Sequence, residues 1–266
     1  MQVIRIDRFD DPRLAAYRNV SDAELLRRRN CFVAEGRLVV GRVLESDHEV
    51  ESILLNHASF QALQAPLSRV PPDVPIYVCD TRDFTAITGF NLHRGCLALA
   101  RRRAERPLAD VIGGADLILA LEAVSDADNI GSAFRNAAAF GASVILSGEC
   151  CDPLYRKSVR TSMGSVLRVP YARAGDWPND LRTLKREGFT VVALTPRADA
   201  IELHRCARRL VYQRIALLVG SEGPGLCEEA EALADVRARI PMSRDVDSLN
   251  LATATGIALH YFAVIP

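Results

Sequence analysis

The stretch LLVGSEGPGLCEE, residues 217–229, passes from an apolar run through a glycine-rich turn into an acidic segment. A strand, a glycine loop and a helix start together form an anion cradle, because backbone N–H groups and the helix dipole converge on the ligand. Glu222 at the centre of the turn would repel a phosphate, so either its side chain faces away or the ligand is not a phosphate. Two other segments carry more polar side chains than packing requires. In DNIGSAFRNAAAFGA, residues 128–142, Asp128 or Asn129 is placed to cap a helix, and Arg135 follows on its alanine-rich body. Asn129 is either a cap or a functional amide, and Arg135 is either a solvated cation or a functional one. In IPMSRDVDSLNLATATG, residues 240–256, Asp247 or Ser248 reads as an N-cap, which leaves Asn250 in the first turn without a capping role.

Several familiar sites are excluded. A phosphate-binding P-loop needs Gly-Lys-Ser/Thr, and neither lysine follows a glycine; GSEGPG also lacks the order of a dinucleotide-binding turn. There is no GxSxG elbow and no HExxH helix, and the histidines at 48, 57, 93, 204 and 260 show no metal-ligand spacing. No metal is expected.

The elements that must position these segments alternate regularly after residue 115. DLILALEAV (116–124), SVILS (143–147), FTVVALT (189–195), RIALLVG (214–220) and VRARIP (236–241) read as strands. Helical patterns separate them, and a last helix, SLNLATATGIALHYF, closes the chain. Continuous apolar strands between helices predict a parallel sheet covered on both faces, with ligands outside the carboxyl ends of its strands. In the last helix Leu251, Thr255, Ala258 and Phe262 share one face, beside a smooth patch at Ala252 and Gly256 that suits close packing on the sheet or a second subunit. Upstream, residues 31–55 combine a helical pattern with the apolar run Ile53–Leu55, and IYVCD and GCLALA add candidate strands of a small α/β unit. The arginine-rich RRRAERPLAD marks a boundary, giving domains 1–104 and 105–266.

Composition sets outer limits. A chain of 266 residues that is 49% hydrophobic supports a large core without staples. The net charge is zero, so any nucleic-acid footprint is local. Of 33 basic residues only Lys157 and Lys185 are lysines, a chain-wide bias that fits either phosphate recognition or a GC-rich coding sequence. Arg27, Arg28, Arg29, Arg37 and Arg42 are either phosphate contacts or solvated. Seven cysteines without a CxxC pair read as buried, reduced thiols of a cytoplasmic protein, with no export signal or membrane span.

NIGSAFRNAAAFGA, LLVGSEGPGL and IPMSRDVDSLNLATATGIALHYF, in this order, resemble the three signature motifs of the SpoU, or TrmH-like, RNA ribose 2′-O-methyltransferases of the SPOUT superfamily. RKSVRTSMGSVLRVP resembles the family's stretch between the first two motifs, and the match spans most of residues 116–264. RRRNCFVAEGRLVVGRVLES and HRGCLALARR resemble the small L30e-like domain that precedes the catalytic domain in many members.

The resemblance implies an α/β, parallel-sheet SPOUT fold with a C-terminal deep trefoil knot, preceded by an L30e-like domain that binds the RNA substrate. It implies S-adenosylmethionine as cofactor, bent among three loops and held mainly by backbone. By motif position these are Leu194, Thr195 and Pro196; Val219, Gly220, Glu222 and Gly223; and Ile240, Met242, Ser248 and Leu249. This cofactor has no phosphate and a positive sulfonium, so Glu222 carries no electrostatic penalty. The catalytic positions carried over are Asn129, Arg135, Glu222, Ser248 and Asn250, with Glu222 expected to orient Arg135. The family's arginine has been proposed as general base for the ribose hydroxyl; a guanidinium stays protonated at neutral pH, so positioning of ribose and phosphate is the competing role. Asp247 where many members have Glu, and Ser221 where some have Asn, keep the polar character. A homodimer through the C-terminal domain is expected, with RNA as partner and ribosomal RNA favoured over transfer RNA. The alternatives are transfer RNA as substrate, methylation of a base, and a non-catalytic RNA-binding protein on the same fold.

Overall fold

The computed structural model describes residues 2–8, 10–18, 21–82, 84, 95–211, 213–243 and 245–263. His93 and Arg94 of the HRGCLALARR stretch lie outside the described residues. The chain divides into two compact units, Met1–Ala104 with Pro153–Leu167, and Glu105–Asp152 with Arg168–Pro266.

The first unit is built on a mixed five-stranded sheet of β1 (Gln2–Arg5), β2 (Cys31–Glu35), β3 (Val50–Asn56), β4 (Pro75–Cys79) and β5 (Cys96–Arg101), in the order β1-β4-β3-β5-β2. β5 runs antiparallel to β2 and β3, whereas β4 is parallel to β1 and β3. The helical reading of 31–55 overlooks β2, whose run Cys31–Ala34 is fully buried, before Gly36 at φ 93° turns the chain into the helix Arg37–Leu44. Tyr17, Val33, Leu54 and Leu97 belong to its apolar core.

Residues 153–167, expected in the catalytic half, complete this first unit instead. The helix Arg156–Thr161 packs against β2, and Arg160 pairs with Glu35 at 3.3 Å. The Arg156 backbone N–H donates to Asp22 at 2.8 Å, and the Arg42 guanidinium donates to the Met163 carbonyl. Gly164 at φ 80° passes so near Arg42 that a Cβ there would sit 3.1 Å from the arginine Cδ. Arg42 is therefore a packing clamp rather than a free phosphate ligand. Arg28 and Arg29 face Glu24 and Glu51, and Arg37 donates to Ser59, so these three are also engaged.

The second unit holds the seven-stranded sheet. Its strands are β6 (Leu117–Leu121), β7 (Ser143–Leu146), β8 (Tyr171–Arg173), β9 (Phe189–Leu194), β10 (Ile201–Glu202), β11 (Arg214–Val219) and β12 (Val236–Arg239). Their order is β10-β12-β9-β11-β6-β7-β8 and every pairing is parallel. All residues of β6 and β7 are buried, as strands covered on both faces require. The short edge strands β8 and β10 go unread in the sequence because three and two residues show no periodicity. From β6 the chain moves towards β7 and β8, whereas β11 connects past β9 to β12. The crevice between β6 and β11 is thus a switch point, where ligands of open α/β sheets bind.

The helix Ala127–Phe140, which follows β6, packs against the C-terminal helix Leu251–Phe262. Asn136 fastens the contact: its amide donates to the Ala252 carbonyl at 2.7 Å and to Thr255 Oγ1 at 3.1 Å. A Cβ on Gly256 would stand 3.2 Å from the Asn136 amide nitrogen, which explains the smooth patch. That patch accepts a neighbouring helix of the same unit. Among the described residues no helix is long and apolar enough to cross a membrane. No disulfide joins the seven cysteines among the described residues, and Cys151 and Cys227 are only half-buried, a departure from the uniformly buried expectation.

Replacing Asn136 by Ala removes both donated bonds and leaves the Thr255 hydroxyl without this donor. Stability should fall by about 1–2 kcal/mol, read as a lower urea midpoint with the far-ultraviolet circular dichroism of the folded protein unchanged.

Candidate functional site

The three polar segments converge at the carboxyl ends of β6, β11 and β12. Asp126, and neither Asp128 nor Asn129, caps the first helix, accepting from the backbone N–H groups of Asp128 at 2.7 Å and Asn129 at 3.0 Å. The Asn129 side chain is thereby released from capping. It is buried and accepts a hydrogen bond at Oδ1 from Asn250 Nδ2 at 3.1 Å. Asn250, expected inside the first turn, is itself the cap of the C-terminal helix, and its Oδ1 takes the N–H groups of Ala252 (2.9 Å) and Thr253 (3.4 Å). Asp247 and Ser248, the expected caps, stand exposed before it. The second proton of Asn250 Nδ2 goes to Glu222 Oε1 at 3.0 Å, and the same oxygen accepts the Leu251 N–H at 3.4 Å.

The glycine loop owes its path to two separate constraints. A Cβ on Gly220 would fall 2.2 Å from the Gly225 carbonyl carbon, so only glycine lets the loop fold back on itself. Ser221 and Gly225 form a bridge, with the Gly225 N–H on the Ser221 carbonyl at 3.1 Å, and Gly223 at φ 91° and Gly225 at φ 75° make the left-handed turn between. The far end of the loop rests on Glu122, a buried carboxylate at the end of β6 that accepts the Cys227 N–H at 3.3 and 3.4 Å. Burial, with Glu122 alongside, pushes the Cys227 thiol up to about 11, so it stays a thiol at neutral pH.

Inside this frame is a pocket of about 750 Å³, within the roughly 300–1,000 Å³ of small-molecule sites. Leu194, Thr195 and Pro196 line it from the end of β9; Val219, Gly220, Glu222 and Gly223 from the end of β11. Ile240, Met242, Ser248, Leu249 and Asn250 line it from the segment after β12. The structure thus brings together every residue expected at a cofactor. Arg135 is not part of this lining: it is exposed on the helix Ala127–Phe140 and makes no hydrogen bond or ion pair with a described residue. Glu222 orients Asn250 and not Arg135, which corrects the expectation for this pair.

Charge tells which cofactor the pocket suits. Glu222 and Asp247 line it without an ion pair to a described residue, whereas Glu231 is paired with Arg237 at 2.9 Å and the single lining guanidinium, Arg197, with Asp199 at 3.1 Å. Such a surplus of carboxylates disfavours phosphate and favours a cation. Apolar walls from Leu194, Val219, Ile240, Met242 and Leu249 suit a purine, and Gly220, Gly223 and Gly225 of the glycine loop line the pocket beside them. The residues present fit a positively charged adenosyl compound. Arg197, Glu231, Leu226, Asp126, Glu122 and Asn136 escape the sequence reading. Only Asp126 carried a local signal, as one of several capping residues in SDADN.

Comparison with known proteins decides the family. A model described as the SpoU rRNA Methylase family matches residues 116–260. The chain belongs to the SpoU rRNA methylase family. It is an S-adenosylmethionine-dependent RNA methyltransferase. Along its length this methyltransferase is 43% identical over 256 residues to a Mycobacterium bovis protein named an uncharacterized tRNA/rRNA methyltransferase, covering 94% of this chain and 88% of the relative. It is 30% identical over 187 residues to the 23S rRNA (guanosine-2′-O-)-methyltransferase RlmB of Xanthomonas campestris, covering 68% of this chain and 74% of that protein. The crystal structure of an AdoMet-bound rRNA methyltransferase from Sinorhizobium meliloti matches the methyltransferase with a TM-score of 0.81 at 27% identity, over 98% of each chain.

An Asn250→Asp variant keeps the capping acceptor but turns both donors into a carboxylate facing Glu222 and the Asn129 oxygen. Protonation then favours the folded state, so the variant's deficit of about 1–3 kcal/mol is largest at neutral pH and shrinks as pH falls towards the carboxylate range near ~4. Melting temperatures of variant and parent across pH should converge on acidification.

Proposed function

We propose that this methyltransferase methylates the 2′-hydroxyl of a ribose in structured RNA, with ribosomal RNA ahead of transfer RNA. The observation that carries this reading is the Asn129–Asn250–Glu222 cluster, which stands where the acidic pocket meets the helix that bears the unengaged Arg135. Bound S-adenosylmethionine supplies an electrophilic methyl group on a sulfonium. The chain's own residues provide the rest. Apolar walls from the three loops exclude water, Glu222 contributes negative charge beside the cation, and the doubly bonded Asn250 fixes the rim against which the ribose docks.

Arg135 keeps its proton and acts by position. A guanidinium with both edges free grips a phosphate in a bidentate pair and so brings the adjacent ribose hydroxyl to the methyl group. Ser248, exposed at the pocket edge, is the hydroxyl available to the same ribose. The proton of the attacked hydroxyl leaves through the phosphate that Arg135 holds.

The remaining features of the reading rest on the resemblance and on the match over 98% of the Sinorhizobium chain. The C-terminal segment threads a deep trefoil knot, residues 1–104 together with 153–167 form an L30e-like substrate-binding unit, and residues 105–152 with 168–266 carry catalysis in the cytoplasm. Two chains pair through the C-terminal domain; Tyr261, on the last helix and 49% exposed, is an aromatic suited to that contact.

Arg135→Ala should bind S-adenosylmethionine within about twofold of the parent by calorimetry yet lose methylation by a factor on the order of 10² or more. Full turnover of the variant on its RNA removes Arg135 from the reaction. Light scattering at working concentration should give twice the chain mass; a monomer contradicts the pairing.

A further inference from the structure

One buried carboxylate of the second unit takes no part in the cluster at the rim. Glu122 follows directly on β6, is 6% exposed and is not part of the pocket lining. Its backbone and its side chain grip opposite ends of the same loop. The Glu122 N–H donates to the Val219 carbonyl at 2.9 Å, which extends the pairing of β6 with β11 to the point where the glycine loop begins. Its two carboxylate oxygens accept the Cys227 N–H at 3.3 and 3.4 Å, where that loop ends. Cys227 in turn starts the helix Glu228–Leu233, its Sγ accepting the Ala230 N–H at 3.4 Å. The base from which Glu122 reaches is itself fixed. Ala123 turns the chain at φ 53° with its N–H on Ser147 Oγ at 2.9 Å, and the Val124 N–H donates to Cys150 Sγ at 3.4 Å.

Everything between the two anchors faces the ligand space: each residue from Gly220 to Leu226 lines the cavity. A segment with glycines at 220, 223 and 225 has much conformational freedom to lose when it is ordered. Were that ordering left to the cofactor, its cost would be subtracted from the affinity. Anchors at both ends order the segment beforehand. Packing alone could seat the start of a short helix, but an acceptor that carries charge holds one chosen N–H with a stronger, directional bond. We propose that Glu122 is a positioning residue for the cofactor, keeping the glycine wall of the pocket formed before S-adenosylmethionine arrives. It acts through Cys227 and the loop, not by contact with the ligand. The proposal rests on the reading of this pocket as the S-adenosylmethionine site.

The test combines amide hydrogen exchange with S-adenosylhomocysteine calorimetry on the full-length parent, Glu122→Ala and Glu122→Gln. In the ligand-free parent the Cys227 amide should already exchange slowly; in Glu122→Ala it should exchange fast until S-adenosylhomocysteine is added. Glu122→Ala should bind S-adenosylhomocysteine about tenfold more weakly than the parent. Glu122→Gln, whose amide oxygen still accepts the Cys227 N–H, should stay within about threefold. Fast exchange at Cys227 in the ligand-free parent overturns the proposal without any variant. An affinity unchanged in Glu122→Ala, or equal losses in both variants, overturns it too. So does exchange that quickens throughout the second unit of Glu122→Ala, which makes Glu122 a structural support only. S-adenosylhomocysteine that binds the parent yet slows exchange in none of the three loops lining the cavity is a different result, and it refutes the pocket reading itself.

Discussion

The catalytic unit depends on the side-chain amide of Asn250. Its oxygen accepts two N–H groups at the start of the last helix, and its nitrogen donates to Asn129 and to Glu222. One planar group thereby joins the helix after β6, the loop after β11 and the helix that ends the chain. No other small side chain does this: aspartate lacks the donors, and a hydroxyl has only one. Because all four bonds meet on one amide group, displacing any partner turns the amide and loosens the others. The need for a capping residue and the need for a rigid rim are met by the same atoms.

The glycine loop shows how the sheet supports that arrangement. β6 and β11 are neighbours, so Glu122 at the end of one strand reaches the N–H of Cys227 at the end of the loop that leaves the other. A buried carboxylate is costly unless it is bonded; here it marks the loop's exit, while the contact of Gly220 with Gly225 fixes its entry. The space between remains free for a ligand. Glu222 projects from the middle of the loop into the cluster, which reconciles a glutamate with a turn that resembles a phosphate cradle.

The parallel strands of the second unit were legible because their apolar runs are long and their helices are amphipathic. The pocket residues were legible because they sit in three motifs whose order is informative. What escaped depends on distant partners. The capping roles of Asp126 and Asn250 fall in the sequence reading to neighbours two or three residues away, since SDADN and DVDSLN each offer several equivalent side chains and only the backbone path selects one. Asn136 reads as an ordinary polar residue until Gly256, 120 positions on, is seen beneath it. Glu231 lies among other acids, and nothing local distinguishes the one that turns inward.

Residues 153–167 carry a consequence for biogenesis. β2 of the first unit is exposed on one flank until the helix Arg156–Thr161 covers it, and Arg42 has no Met163 carbonyl to hold until that turn exists. During translation the first unit is therefore unfinished when its own last strand leaves the ribosome, and it must wait while β6, the helix Ala127–Phe140 and β7 of the second unit are made. A fragment cut at Ala104 lacks residues 153–167 of the first unit. The two halves of this chain are interlocked in time as well as in sequence.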